Sequence, residues 1–508
     1  MFNDDKSLEN EKGYQEVVNE TEPRKVTKLE FRLGPFGSTV PMLFFIVWAI
    51  VSSFLNICNE QGLIIGAVLG LAIGLFLCKS SADDYVQAVS EGMTQTIGAI
   101  AIIAWFWAGM FASILQAGGL VEGLVWLGVS TGVKGSVFTA ITFILSAVFG
   151  TAVGTGYGTL VAFSILMYPA GILMGAHPAA LLGAILSGSA FGDNLAPVSD
   201  TTIISAVTQE TDIMGVVRTR FKYCLMAGIP ATILFLIFGG TSSNAVDSVE
   251  SMNLIGQYIN PKGLILLIPF VLVLFLAFKG HNLIVSISWG IITSIVIILV
   301  AGLGTVQDIL WFNVAEGKLE GAIVDGISGY LHMCVLLLLI MAEGYLITAG
   351  NMMDVLENFI IKRVKGSVKK AEFAIWSIVA ILNALMSVNA AAEITAAPFV
   401  RSIGKTFKIH PYRRANMLDA ITSAGGFVLP WSGGVLLGVS TINGLTDKYS
   451  FISKLTPAEV SPYVFHGWGL VIVMLIVAIT SWGLRYEGPN GEQVKEKPEM
   501  EPRKSLEI

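Results

Sequence analysis

Charge is what this chain has least of. Asp, Glu, Lys and Arg make up 13% of its 508 residues, against about 25% in a soluble domain, which excludes an ordinary water-soluble globule. Cysteine is equally scarce: Cys58, Cys78, Cys224 and Cys334 each stand alone in or beside an apolar run. Without Cys-x-x-Cys spacing there is no disulfide framework or zinc site to read, and small buried hydrophobes are the expected role. The first 34 residues are polar and charged, so no cleavable signal peptide is expected. The net charge of −6 points to no particular partner, and no nucleic-acid binding is expected. Lys and Arg are missing altogether from 135–217.

Apolar sequence fills the space that charge leaves. Hydrophobic residues make up 54% of the chain. Runs long enough to cross or enter a bilayer recur at 41–57, 63–78, 97–115, 137–152, 160–174, 226–238, 264–278, 284–303, 330–347, 373–386 and 470–484. The expected fold class is an all-α polytopic membrane protein with about 11–13 transmembrane or re-entrant helices. Arg24, Lys25, Lys28 and Arg32 precede the first run and place the N-terminus in the cytoplasm by the positive-inside rule. The same rule puts 218–222, 362–370 and 401–414 inside. The loop 240–261, with Asp247 and Glu250, reads as external. The organisation expected is therefore a cytoplasmic tail (1–34), a first membrane half (35–239), the external loop (240–261), a second half (262–484) and a polar, disordered cytoplasmic tail (485–508).

The two halves resemble each other. His177-Pro178 is followed by Pro197-Val-Ser199, and His410-Pro411 by Pro430-Trp-Ser432, at a constant offset of 233 residues. The same offset aligns Gly154-Thr-Gly156 with Ser387-Val-Asn389. The first His-Pro corner has no basic neighbour and the second has five, so the corners face opposite sides of the membrane, as inverted repeats with discontinuous helices require.

Chemistry concentrates in Ser187-Gly-Ser-Ala-Phe-Gly-Asp-Asn-Leu-Ala-Pro-Val-Ser-Asp-Thr-Thr202. Carboxylates at membrane depth are costly and mark ion or proton paths. Asp193 and Asp200 flank Pro197, which breaks the helix and frees backbone carbonyls. A half-helix ending near Asn194 would aim its carbonyls at a cation. A second, starting at Ser199, would bring Asp200, Thr201 and Thr202 into its first turn. Carboxylates, carbonyls and hydroxyls make a hard-oxygen set suited to sodium, with Asp193 and Asp200 as its charged ligands. Asp200 also reads as a helix cap. The second half has Gly426 and Gly433 at the aligned positions and offers Asn389 and Glu393 instead, four apart on one helix face, with Ser432 at its own break. Glu393 reads as a coupling carboxylate or as the partner of a basic loop residue. Glu343 is isolated enough to face a cavity, and Asp419 is expected to pair with Arg413 or Arg414. His177 and His410 read as corner residues. The glycines of 150–158 lack the Lys-Ser/Thr of a phosphate loop and read as close helix packing.

The segment Phe191-Gly-Asp193-Asn-Leu-Ala-Pro197-Val-Ser-Asp-Thr-Thr202 resembles the signature of the NhaC family of sodium/proton antiporters, with Ala196 where serine is usual. The resemblance implies a bacterial or archaeal inner-membrane exchanger, multi-pass, with no cofactor beyond the sodium ions and protons it carries. Its surroundings are membrane lipid, and a homodimer is compatible with the class. Related members exchange organic acids or amino acids, so a sodium- or proton-coupled exchanger or symporter of a small carboxylate or amino acid is the alternative reading. Neither reading is an enzyme. An intramembrane aspartyl protease fits poorly, because the two Asp lie seven apart across a proline.

Overall fold

Hydrocarbon offers the backbone no hydrogen-bonding partner, so a chain this apolar folds into helices that satisfy their own N–H and C=O groups. The computed structural model describes residues 28–55, 60–133, 135–197, 199–240, 259–279, 281–364, 366–386, 388–489 and 491–496. Expectations for Arg24 and Lys25, Cys58, the loop at 241–258, Ser387 and the tail at 497–508 lie outside the described residues. The helices are α1 (Val40–Phe54), α2 (Glu60–Leu77), α3 (Ala82–Met93), α4 (Thr96–Ala117), α5 (Leu120–Thr131), α6 (Gly135–Val153), α7 (Gly156–Leu173), α8 (Pro178–Leu195), α9 (Asp200–Thr208) and α10 (Ile213–Phe238). The second half continues with α11 (Leu267–Phe278), α12 (Leu283–Val300), α13 (Val306–Ile309), α14 (Ala322–Ser328), α15 (Leu331–Ala349), α16 (Met352–Val364), α17 (Val368–Met386), α18 (Asn389–Thr406), α19 (Pro411–Gly425), α20 (Gly433–Gly444), α21 (Pro457–Val460) and α22 (Phe465–Thr480). Between α13 and α14 a short antiparallel hairpin pairs β1 (Trp311–Asn313) with β2 (Lys318–Glu320).

Among the described residues eight helical stretches are long and apolar enough to cross a membrane, and a ninth is bent by 58° between α21 and α22. Three shorter apolar stretches, Gln61–Leu77, Leu120–Thr131 and Pro261–Ala277, bring the set into the expected range. Burial sorts them. α7 and the α8–α9 stretch have 94% of their apolar window inside the protein, whereas α10 and α12 have 33% and 28%. The outer helices turn Ile, Val, Leu and Phe outward, the reverse of a soluble fold and the pattern lipid demands.

The repeat extends well beyond the His-Pro markers. α6 and α17 begin and end 233 residues apart, and so do α7 and α18. Pro178 and Pro411 open α8 and α19, and Asp200 and Gly433 open α9 and α20, at the same interval. Each corner is tied alike. His177 N–H donates to Gly239 O and His410 N–H to Arg485 O, and bridges join Ala176 to Gly240 and Ile409 to Tyr486. The ring nitrogens of His177 and His410 accept from Ala180 N–H and Tyr412 N–H, so both histidines cap the helices they precede. The second tie corrects the reading of 485–508 as disordered. Its first residues fold back as β3 (Tyr486–Glu487) and β4 (Gln493–Val494) against the His410 corner, because that corner needs a partner for the His410 N–H.

Candidate ion-binding site

Six helix ends converge where the repeats meet. α8 stops at Leu195, and Pro197 cannot donate to the turn before it. Ala196 and Ser199 take extended backbone angles, and Ser199 N–H turns back to Ala196 O at 3.2 Å before α9 restarts at Asp200. In front of this break, α6 ends at Val153 and α7 starts at Gly156; opposite, α17 ends at Met386 and α18 starts at Asn389. The sequence dictates these tips. Gly154 takes φ +77°, a conformation L side chains avoid, and the Thr155 hydroxyl caps α7 by accepting from Gly158 N–H.

Asp193 sits at the centre with 2% exposure. Its Oδ1 accepts from Gly156 N–H at 3.3 Å and from the Ser199 hydroxyl at 2.8 Å, and its Oδ2 accepts from Asn389 Nδ2 at 3.0 Å. Every one of these donors is neutral. The N-terminus of α7 adds the fractional positive charge of a helix start. Asp200 is half-buried; its Oδ1 accepts from Thr201 N–H at 2.9 Å and stands 3.5 Å from the Ser199 hydroxyl. Ser199 thus touches both carboxylates, and it approaches Thr201 Oγ1 at 3.1 Å. The repeats are complementary here. A Cβ on Gly156 would lie 3.2 Å from Asp193 Cβ, and one on Gly426 would lie 3.1 Å from Asn389 Cβ. Each half therefore places a side chain where the other has glycine.

A second layer lies behind. Thr201 Oγ1 meets the Ser423 hydroxyl at 3.2 Å, and Ser423 donates to Asp419 Oδ1. Asp419 forms an ion pair with Arg220, both fully buried. Arg220 also donates to Asn194 O at 2.8 Å, Thr202 Oγ1 at 3.3 Å, Ser205 Oγ at 3.2 Å and Asn416 Oδ1 at 3.2 Å. Glu393 accepts from Thr422 Oγ1 at 3.4 Å through one oxygen, the other having no partner. It lies within electrostatic reach of Asp419, Arg220, Asp200 and Asp193.

Of the residues read from sequence, Asp193, Ser199, Asp200, Thr201 and Asn389 come together directly. Asn194 and Thr202 touch the site through Arg220, and Glu393 stands one layer back. Ser432 does not join them; its hydroxyl donates to Leu429 O in its own turn at 2.7 Å. Three expectations need correction. The terminal carbonyl of Asn194 is taken by a guanidinium and not left bare for an ion. Asp419 pairs with Arg220, while Arg413 pairs with Glu372 at 2.7 Å and Arg414 donates to Gln209 O at 3.1 Å. Glu393 pairs with no basic residue among the described ones. Arg220, Asn416 and Ser423 were missed altogether. Arg220 had a signal: it falls in the buried stripe Val216, Arg220, Tyr223, Ala227, Ala231 of α10, at helical spacing among small and apolar neighbours.

The described residues contain no group of three or more His, Cys, Asp or Glu placed to hold a metal ion, so the oxygen set is carboxylate, hydroxyl and amide. The chain matches the model of the Na+/H+ antiporter family over residues 10–240 and 243–468. It is 28% identical to the malate-2H(+)/Na(+)-lactate antiporter of Bacillus subtilis over 49% of this chain and 53% of that one, so it spans about half of that relative's length. The arginine/ornithine antiporter ArcD of Halobacterium salinarum is 24% identical over 76% of this chain and 82% of its own. The Na(+)/H(+) antiporter NhaC of Alkalihalophilus pseudofirmus is 23% identical over 57% and 63%.

Proposed function

The chain belongs to the Na+/H+ antiporter family, and on that footing we propose that it exchanges a monovalent cation, sodium in the first place, for protons by alternating access. The observation that carries this reading is a charge imbalance. Asp193, Asp200 and Glu393 lie within electrostatic reach of one another, and the cation that acts on Glu393 in this cluster, Arg220, is already paired with Asp419. All of its remaining bonds go to protein oxygens, so the cluster needs further positive charge from outside the chain. A cation and protons compete to supply it at Asp193 and Asp200, and each excludes the other. The ions are cargo, and no resident cofactor or enzymatic activity enters the mechanism.

In this reading the protein is a multi-pass protein of a prokaryotic inner membrane, with both termini in the cytoplasm and the basic stretches 218–222, 362–370 and 401–414 on the cytoplasmic side, from which Arg220, Arg413 and Arg414 turn into the protein. The loop 240–261 is external, and the halves 35–239 and 262–484 are inverted copies surrounded by lipid, a homodimer being compatible with this. Sodium-driven proton movement in proteoliposomes tests the proposal. Asp193→Asn, which keeps the shape and removes the charge, is expected to abolish exchange; normal exchange by this variant would remove Asp193 from the mechanism.

A second reading rests on the relatives, two of which are named for organic solutes. A small organic acid or amino acid would then cross with the cation. The arrangement of Arg220 favours an amine over a free carboxylate at the Asp193 face, since Nε, Nη1 and Nη2 each already donate to a protein acceptor. Solute-dependent sodium uptake across a panel of amino and organic acids separates the two readings.

A further inference from the structure

Glu343 lies outside this cluster, on α15. Facing it, α2 carries Gly66, Gly70 and Gly74, one turn apart on one face. Each glycine receives a side-chain tip from a different helix. An added Cβ would lie 2.3 Å from the Trp48 ring of α1 at Gly66, and 2.3 Å from the Tyr85 hydroxyl of α3 at Gly74. At Gly70 it would lie 2.4 Å from Glu343 Oε1 and 2.7 Å from Pro41 O. Two of the three tips donate to α2 carbonyls: Trp48 Nε1–H to Gly62 O at 2.8 Å and Tyr85 O–H to Leu71 O at 2.7 Å. The third, Glu343, is fully buried and has no hydrogen-bond partner for either oxygen.

No basic side chain is paired with Glu343 among the described residues, and the titratable groups on this seam are the Tyr85 hydroxyl and the Cys78 thiol. α1 and α4 carry no charged residue. On α3, Asp83 and Asp84 stand in its exposed first turn, and Glu91 accepts from Tyr345 at 2.7 Å. An ionised carboxylate here would face a helix carbonyl with nothing to offset it, and such groups neutralise instead. The seam is too tight at Gly70 for a methyl group, so it has no space for a hydrated ion, whereas a proton needs none. The carboxylic acid also brings the hydrogen that Trp48 and Tyr85 bring and that a carboxylate lacks.

We propose that Glu343 is a second proton-binding site, separate from the Asp193 cluster and occupied as the neutral acid while α2, α3 and α15 are packed together. It holds its proton whether or not Asp193 exchanges sodium. Infrared difference spectroscopy of the purified full-length protein at neutral pH tests this, because a protonated carboxylic acid has a carbonyl stretch of its own. The expected result is a band that Glu343→Gln removes, Glu343→Asp shifts and Asp193→Asn leaves in place. A spectrum that neither Glu343 variant changes overturns the proposal. Thermal unfolding gives a second readout: from mildly acidic to alkaline pH the wild type should lose stability relative to Glu343→Gln, which has no proton to lose, and parallel curves count against the site.

Discussion

At the scale of the residue, Arg220 is the most consequential side chain that carries no cargo. Its guanidinium holds Asn194 O at the end of α8, Thr202 and Ser205 on α9, and Asp419 and Asn416 on α19. Removing one partner of a buried ion pair leaves the other charge stranded, at a cost of about 3–5 kcal/mol. Arg220→Ala is therefore expected to lower thermal stability steeply, and Arg220→Met with Asp419→Leu to recover much of the loss; equal losses in both would deny the pair its structural role. At the surface, Tyr412 donates to Asp212 and holds that carboxyl below its ordinary value. A depressed carboxyl stabilises the fold above its unfolded value of about 3.9 and loses that contribution as pH falls through the folded one. Tyr412→Phe should therefore be less stable than wild type at neutral pH, and the two unfolding curves should converge in acid. Asp193, Ser199, Asp200 and Asn389 were legible because polarity stands out in an apolar run. Arg220 and Asp419 were not, since a basic turn and a nearby arginine pair offered a cheaper local partner than one 199 residues away.

Elements carry the site by breaking and by approaching closely. α6 and α8 cross at Gly150 and Gly192, where a Cβ on Gly192 would lie 2.5 Å from Gly150 Cα. The matching crossing of α17 and α19 sets Gly425 against the Asn383 amide, 3.0 Å from an added Cβ. Asn383 there donates to Thr422 O, a backbone contact that the first crossing lacks. Gly192→Ala is expected to cost about 1–3 kcal/mol by overpacking and to lower transport, because it pushes α8 away from the α6–α7 tip that holds Asp193. Gly444→Ala, with nothing within 4 Å, is the neutral control; matched behaviour of the two would refute the packing argument. Helix starts were readable from Pro178, Pro411 and Ser199, whose chemistry is local. Helix crossings were not, because a glycine states only that something comes near and not what.

For the molecule as a whole, the repeat makes a sidedness prediction. If the His410 corner is cytoplasmic and the α19–α20 stretch crosses outward, Thr406 and Lys454 lie on opposite faces. Among the described residues Cys78, Cys224 and Cys334 are buried, so with Cys58 replaced by Ser, Thr406→Cys and Lys454→Cys supply the accessible thiols for an impermeant maleimide. Lys454→Cys should react in intact cells and Thr406→Cys only in everted vesicles, while labelling of both from one side would rule out inversion. The complementary glycines have an evolutionary consequence as well. Two copies of the first half would set Asp193 over Gly156 twice, giving two acids and no Asn389 amide to steady either. Two copies of the second half would give the amide twice and neither aspartate. Once the copies had diverged in this way, neither could again work as a self-pairing ancestor, so the gene that joined them could not be split back into identical subunits.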